Sequence, residues 1–162
     1  MSEDFYAFEF LSIDGDALPL EAWRGRPVLV VNTASLCGYT PQYAELEALW
    51  QRYRDRGLVV LAVPSNDFGQ QEPGSPREIK AFCTGRYGID FPLAAKCRVV
   101  GADCHPFYRA IAEAFGEAAT PRWNFHKYLI APDGTLSALW PSQVSPNDAE
   151  VASEIERLLP RA

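Results

Sequence analysis

The sequence has 162 residues, of which 48% are hydrophobic and 22% are charged, a composition that predicts one soluble globular domain over residues 1–162. Its 15 basic and 21 acidic residues give a formal net charge of −6, and because no basic run offsets this charge, we expect neither a nucleic acid nor a membrane as partner. The acidic start and the lack of any run of about 18 apolar residues predict no signal peptide and no membrane span, so we expect a cytoplasmic protein.

A small hairpin is predicted at the start of the chain. The segments 8–13 and 17–20 are typical of short strands, and the Asp14-Gly15-Asp16 sequence between them is typical of a tight turn. We therefore expect two short strands that pair with each other here.

A β-α-β unit is predicted to follow the hairpin. Val28–Asn32 and Leu58–Val63 are continuous apolar runs rich in β-branched residues, which is typical of strands buried on both faces. Between them, apolar residues at helical spacing predict a helix with Thr40 as its N-cap, Pro41 in its first position and a stop at Gly57. We expect the two strands to be parallel neighbours joined by a right-handed crossover.

The second half of the chain predicts three further helices and a second hairpin. The expected elements are a helix from Ser75-Pro76 to Gly88, a helix from Pro106 to about Phe115, strands at Lys127–Ala131 and Leu136–Trp140, and a last helix capped by Asn147-Asp148. The order of all these elements predicts an α/β protein with a central mixed sheet flanked by helices and an N-terminal β-hairpin. This is a thioredoxin-like fold.

Cys37 lies between the end of a predicted buried strand and the start of a predicted helix, where reactive groups gather in open α/β sheets. The N–H groups and partial positive charge of a helix N-terminus favour a thiolate, which can attack the O–O bond of a peroxide and become a sulfenic acid. The alternative is a buried structural cysteine, and position alone favours neither. Because residue 40 is Thr, there is no Cys-x-x-Cys motif, which weakens the case for a disulfide oxidoreductase.

Three sequence blocks resemble, in order, the signatures of the glutathione peroxidase family. They are residues 32–43 (NTASLCGYTPQY), residues 63–74 (VPSNDFGQQEPG) and residues 123–127 (WNFHK). The resemblance extends from about residue 5 to residue 159. It implies a peroxidase that reduces hydrogen peroxide and organic hydroperoxides, with Cys37 as the nucleophile.

The resemblance also implies that Gln71, Trp123 and Asn124 surround Cys37 as a catalytic tetrad. Amide and indole N–H groups are uncharged donors, so they would orient the peroxide and stabilise developing negative charge rather than act as acid or base. Each has a structural alternative, as a solvated loop residue, a core residue or a capping residue. Gln70 stands where the family usually has Gly, which leaves open which glutamine faces the sulfur, and we expect Gln71. The other departures from the usual family residues are at Leu36, Ser65 and Asp67.

By the same resemblance, Cys83 is placed like the resolving cysteine of thioredoxin-dependent family members. The Cys37 sulfenic acid would condense with the Cys83 thiol to a disulfide, which thioredoxin would reduce. Helical periodicity alone favours a different interpretation, in which Cys83 packs in the core beside Ile79 and Phe82. We expect thioredoxin to be the reductant, with glutathione as the alternative.

No bound cofactor or metal is expected. Cys97 and Cys104 fit no zinc-ligand spacing, so we expect Cys97 to be a strand residue, Cys104 a loop thiol and His126 a structural residue. The chain lacks the extra assembly loop of tetrameric family members, which implies a monomer.

Two other functions use the same residues: a peroxide sensor that passes its oxidation to a partner, and a thioredoxin-like binding module without activity. The filled tetrad argues against the second.

Overall fold

Six strands and four α-helices form the framework of the structure, a computed structural model that describes residues 3–160. Within that range the strands are β1 (Glu9–Leu11), β2 (Ala17–Pro19), β3 (Val28–Thr33), β4 (Val59–Pro64), β5 (Lys127–Ile130) and β6 (Leu136–Trp140). The α-helices are α1 (Gln42–Tyr53), α2 (Pro76–Tyr87), α3 (Pro106–Phe115) and α4 (Ala149–Leu158). Every helix in this range is too short or too polar to cross a membrane.

The central sheet has the strand order β4-β3-β5-β6. β3 pairs in parallel with β4 and antiparallel with β5, and β5 pairs antiparallel with β6. β1 and β2 form a separate antiparallel pair. The predicted mixed sheet, the parallel pair across a helix and both hairpins are therefore confirmed, with strand bounds that differ from the predicted ones by a residue or two.

Side chains of β3 alternate between two hydrophobic cores, as the pleat of a strand requires. Leu29 and Val31 pack in the core that also takes buried residues of α1, α2 and α4. Val28 and Val30 pack in a second core with buried residues of α3 and of the N-terminal hairpin. Because both faces of the strand are covered, the sequence shows a continuous apolar run here rather than an alternating one.

Two helices begin with the caps that the sequence predicts. Ser75 and Glu78 form a reciprocal capping box at the start of α2, and Gly88 ends that helix in the left-handed conformation, with φ of 62°. The Asp148 side chain accepts a hydrogen bond from the Glu150 N–H at the start of α4.

The predicted cap of α1 is wrong. Thr40 makes no capping hydrogen bond to this helix, because its hydroxyl is used inside the turn that holds Cys37. The helix begins at Gln42 and ends at Tyr53, and a short 3-10 turn then leads to Gly57, where φ is 120°. The predicted stop at Gly57 therefore lies after the 3-10 turn that follows α1, and not at the end of α1 itself.

The prediction that Cys97 is a strand residue is also wrong. Its segment runs beside the outer edge of β4 and bonds to it at Ala94 N–H to Ala62 O (2.8 Å) and at Cys97 N–H to Pro64 O (3.0 Å). From Ala94 to Cys97 the segment advances by three residues, whereas from Ala62 to Pro64 β4 advances by two. This extra residue interrupts the regular hydrogen-bond pattern of a strand pair. Cys104 lies in a loop before α3, as predicted.

Candidate active site

Cys37 lies in a tight turn between β3 and α1, as the sequence pattern predicts. The Cys37 N–H donates to the Thr40 hydroxyl oxygen (2.9 Å), and that hydroxyl donates in turn to the Ala34 carbonyl (2.8 Å). The Tyr39 N–H donates to Cys37 Sγ at 3.3 Å. Cys37 is 8% exposed. The turn therefore gives the sulfur a main-chain donor and leaves it a narrow opening to solvent.

The loop after β4 lies against this turn. The Leu36 N–H donates to the Gln71 carbonyl at 3.0 Å, which joins the residue before Cys37 to the backbone of Gln71. The Gln71 side-chain oxygen, Oε1, accepts from Asn124 Nδ2 at 2.9 Å. Gln71 is half-buried, whereas Gln70 is exposed and has a positive φ of 53°. Of the two glutamines, Gln71 is the one that contacts Asn124.

Trp123 and Asn124 lie in the turn that precedes β5. Asn32, at the end of β3, holds this turn: its Nδ2 donates to the Trp123 carbonyl (3.0 Å), and its own carbonyl accepts from the Phe125 N–H (2.6 Å). Phe125 has a positive φ of 66°, a conformation that costs a bulky residue about 1–3 kcal/mol. The Trp123 ring packs on the Phe68 ring, with centroids 5.7 Å apart.

These contacts join three predicted site residues in one hydrogen-bonded arrangement. Gln71 bonds through its backbone to the Cys37 turn and through its side chain to Asn124. Asn124 is fully buried, and its Oδ1 has no hydrogen-bond partner in the described chain. Because Gln71 Oε1 is already used as an acceptor, the amide NH2 is the group of Gln71 that remains as a donor. The uncharged amide N–H groups of Gln71 and Asn124 therefore lie close to the turn that contains Cys37.

Cys83 lies on α2 and is fully buried in the core below the helix. Burial raises the pKa of the Cys83 thiol to about 11, with a smaller opposing effect from the Tyr43 hydroxyl. Cys37 and Cys83 are both free thiols in this structure. The state seen here is thus the one in which Cys83 packs as a core residue.

Ionisable groups in and beside the loop that contains Gln71 are buried to different degrees. Burial raises the pKa of the Glu72 carboxyl, which is 1% exposed, while hydrogen bonds from Ser35 and the charge of Lys96 oppose this shift. Lys96 Nζ donates to the carbonyls of Glu72 (3.1 Å) and Gly74 (2.6 Å), which fixes the loop that contains Gln71. Burial lowers the pKa of His126 to about 4, so its ring is neutral at neutral pH. No group of three or more His, Cys, Asp or Glu side chains in residues 3–160 is arranged to hold a metal.

Three residues that matter for this geometry were not predicted from the sequence: Thr40 as part of the Cys37 turn, Asn32 as the clamp on the Trp123 turn, and the buried Lys127. A signal exists for Lys127, since a lysine in the otherwise apolar strand Lys127–Ile130 is unusual. None exists for the contact of Thr40 with Ala34.

Known proteins are similar to this chain over nearly its whole length. The family model described as glutathione peroxidase matches residues 5–112. The hydroperoxy fatty acid reductase gpx1 of Synechocystis sp. is 43% identical to this chain over 162 residues, which cover 95% of each chain. The glutathione peroxidase-like peroxiredoxin gpx1 of Schizosaccharomyces pombe is 42% identical over 157 residues, which cover 96% of this chain and 98% of the relative.

The chain belongs to the glutathione peroxidase family.

Solved structures agree with this assignment. The crystal structure of Trgpx in its apo form matches with a TM-score of 0.75 and 31% identity over 99% of this chain and 100% of the other. A thiol:disulfide interchange protein of the thioredoxin family from Chlorobium tepidum matches with a TM-score of 0.73 at 14% identity, covering 99% of this chain and 98% of the other, a likeness of fold alone. The predicted family, the peroxidase class that it implies and the thioredoxin-like fold are therefore confirmed.

Proposed function

We propose that this glutathione peroxidase family member is a two-cysteine thiol peroxidase that uses Cys37 as nucleophile and Cys83 as resolving thiol. The Cys37 thiolate attacks one oxygen of the hydroperoxide, the O–O bond breaks, and the other oxygen takes a proton and leaves as water or an alcohol. The product is the Cys37 sulfenic acid. The Cys83 thiol then displaces water from it to form a disulfide, and two electrons from a dithiol reductant restore both thiols.

One observation supports this mechanism above the others: the Gln71 loop bonds to the Cys37 turn while its side chain bonds to Asn124. An alkoxide develops as the O–O bond breaks, and fixed N–H groups stabilise such charge well because they need no reorganisation during the reaction. The amides of Gln71 and Asn124 and the indole of Trp123 can supply such donors. None of the three can hold the proton as an ordinary base, so water or the amide groups would transfer it.

Resolution requires α2 to open, because Cys83 is fully buried among core residues and its thiol must reach the sulfenic acid of Cys37 in the turn before α1. The helix is suited to this step. Of its 12 residues, Ile79 and Cys83 are fully buried, Phe82 and Tyr87 are partly buried, and Gly85 lies in its last turn. A helix with few fully buried residues opens at lower cost than the core strands, and a glycine at a helical position costs up to about 1 kcal/mol of helix stability.

Thioredoxin is the reductant we propose, because Cys83 is present and the disulfide it forms is a substrate for exchange. Leu36 is 65% exposed and Tyr39 is 36% exposed, so apolar surface for a protein partner lies on either side of Cys37. The Synechocystis relative is a hydroperoxy fatty acid reductase, which supports organic hydroperoxides as substrates alongside hydrogen peroxide. The cytoplasmic location and monomeric state expected from the sequence remain predictions.

Steady-state assays with each reductant test this function. With hydrogen peroxide, we expect turnover supported by thioredoxin and its reductase, and much slower turnover with glutathione at comparable concentration. Absence of peroxide reduction with either reductant would contradict the proposal. Robust turnover with glutathione that persists in a Cys83→Ser variant would show that glutathione, rather than thioredoxin, is the reductant.

The contact between Gln71 and Asn124 leads to a separate prediction. Replacing either Gln71 with Ala or Asn124 with Ala is expected to slow oxidation of Cys37 by about 100-fold to 1000-fold, the usual cost of removing one fixed donor. Because each side chain orients the other, the double variant should be little slower than the single ones. Stopped-flow measurement of the oxidation rate checks this, with Gln70→Ala as the matched control. Fully additive losses would mean that the two amides act independently.

A further inference from the structure

Lys127 carries a buried amine that the proposed mechanism does not use. It is 0% exposed, and strand alternation puts its side chain on the same face of β5 as Leu129, toward the core below α1, α2 and α4. No carboxylate lies within ion-pair distance of Lys127 in residues 3–160. Because an unpaired amine is costly to bury, its position calls for a role that an apolar side chain could not fill.

The amine bonds to two carbonyls, one directly after Asn124 in the chain and one that also contacts α1. Lys127 Nζ donates to the Phe125 carbonyl at 2.6 Å and to the Ser142 carbonyl at 3.4 Å. The Ser142 carbonyl also accepts from Gln42 Nε2 at 2.7 Å, and Gln42 is the first residue of α1. Lys127 therefore joins the turn that contains Asn124 to the start of the helix that follows the Cys37 turn.

The contact with Phe125 is the important one for Asn124. Phe125 directly follows Asn124 and has a φ of 66°, so its backbone must be held in place by its surroundings. Asn32 holds its N–H side and Lys127 holds its carbonyl side. Loss of either contact would let this residue relax toward the right-handed region, which would turn the Asn124 side chain away from Gln71.

We propose that Lys127 is a positioning residue for peroxide reduction, whose buried amine keeps Phe125 in its left-handed conformation and thereby keeps the Asn124 amide on Gln71. This inference rests on the proposed function. Lys127 acts through Phe125 and touches neither the peroxide nor the sulfur.

The charge of this amine makes the positioning depend on pH. Burial lowers the pKa of Lys127 to about 7, and Glu45 on α1 opposes this shift. His126, its neighbour in the chain, is neutral at this pH because burial lowers its own pKa to about 4, with further effects from Lys127 and Arg122. A protonated amine makes stronger hydrogen bonds to carbonyls than a neutral one. The positioning by Lys127 should therefore weaken as the pH rises through neutrality.

The test compares the rate of Cys37 oxidation by hydrogen peroxide in the wild type, Lys127→Gln and Lys127→Met. We expect both variants to be slower by up to about 100-fold near pH 6, because small misplacements of a site group have losses of that size. The ratio of the wild-type rate to the Lys127→Gln rate should fall toward about pH 8, as the wild-type amine loses its proton. Lys80→Gln, which removes an exposed lysine paired with Asp14, is the matched control and should keep the wild-type rate.

Wild-type rates in both variants, or a rate ratio that does not change with pH, would overturn the inference. NMR of the Asn124 side-chain amide separates this inference from the proposed function: its signals should shift in Lys127→Gln, and unchanged signals contradict the positioning role whatever the activity. If the variants do not fold, titration of the wild-type lysine signals decides, because an amine that stays protonated above about pH 9 contradicts the proposed pH dependence.

Discussion

Replacing Cys37 with serine is expected to lower peroxide reduction to the uncatalysed rate, a loss of more than about 1000-fold, as is usual when an enzyme's nucleophile is removed. Serine keeps the size of the side chain and the turn around it, since the Cys37 N–H and carbonyl make the contacts with Thr40. A hydroxyl, however, is not ionised at neutral pH and cannot form a sulfenic acid. The measurement is the initial rate of hydrogen peroxide consumption with thioredoxin present in excess.

Cys104→Ser is the matched control for this variant. Cys104 is also a nearly buried free thiol, but it packs in the second core, below α3 and the N-terminal hairpin. This control should keep the wild-type rate. If Cys37→Ser retained full activity while folded, the reaction would have to use another group, and the assignment of the nucleophile would be wrong.

Replacing Cys83 with serine is expected to leave the first oxidation of Cys37 intact and to stop thioredoxin-dependent turnover after about one equivalent of peroxide. The reason is that the sulfenic acid forms without Cys83, whereas the disulfide that thioredoxin reduces does not. A burst experiment measures both effects in one trace. Sustained thioredoxin-dependent turnover in this variant would show that Cys83 is not the resolving thiol.

The opening of α2 can be tested with Gly85→Ala. A methyl group at Gly85 meets no atom within 4 Å, so the substitution should strengthen the helix without a clash. The gain of about 1 kcal/mol expected for alanine over glycine would slow disulfide formation by about fivefold, because α2 would open less often. Hydrogen exchange should be faster for amides of α2 than for those of α1 in the wild type. Equal protection of the two helices would contradict the requirement for opening.

The sequence contains enough information for the sheet and for most helix ends. Continuous apolar runs predict β3 and β4 because these strands are covered on both faces, and a strand with one exposed face would have shown alternation. The signals at Ser75 and Gly88 are local, since a capping box and a left-handed glycine depend on residues within one or two turns of each other. Helix ends that depend on such local interactions can therefore be predicted from the sequence.

The two wrong predictions, Thr40 as a helix cap and Cys97 as a strand residue, depend on contacts that the local sequence does not specify. Thr40-Pro41 has the pattern of a helix cap, but a hydroxyl can bond to any donor or acceptor in reach, and here it bonds within the Cys37 turn. Cys97 has a strand-like environment, but one extra residue relative to β4 breaks the ladder, and this mismatch depends on both segments.

The candidate site was predicted as a set because three blocks occur together, not because any residue in it is distinctive. Gln71 and Asn124 each have a common structural use, and their contact across the fold becomes visible only in the structure. Lys127 is a different case. Its strand pattern is unusual, but the carbonyls of Phe125 and Ser142, to which the amine bonds, belong to two turns that are brought together only by the fold.

Oxidation of the reduced protein with one equivalent of hydrogen peroxide, followed by mass-spectrometric mapping of all cysteines, identifies the peroxide-reactive thiol and its disulfide partner. We predict a single disulfide between Cys37 and Cys83 in the wild type, and a trapped sulfenic acid at Cys37 in the Cys83→Ser variant. Oxidation of Cys97 or Cys104 with Cys37 left reduced would contradict the assignment of the peroxide-reactive thiol.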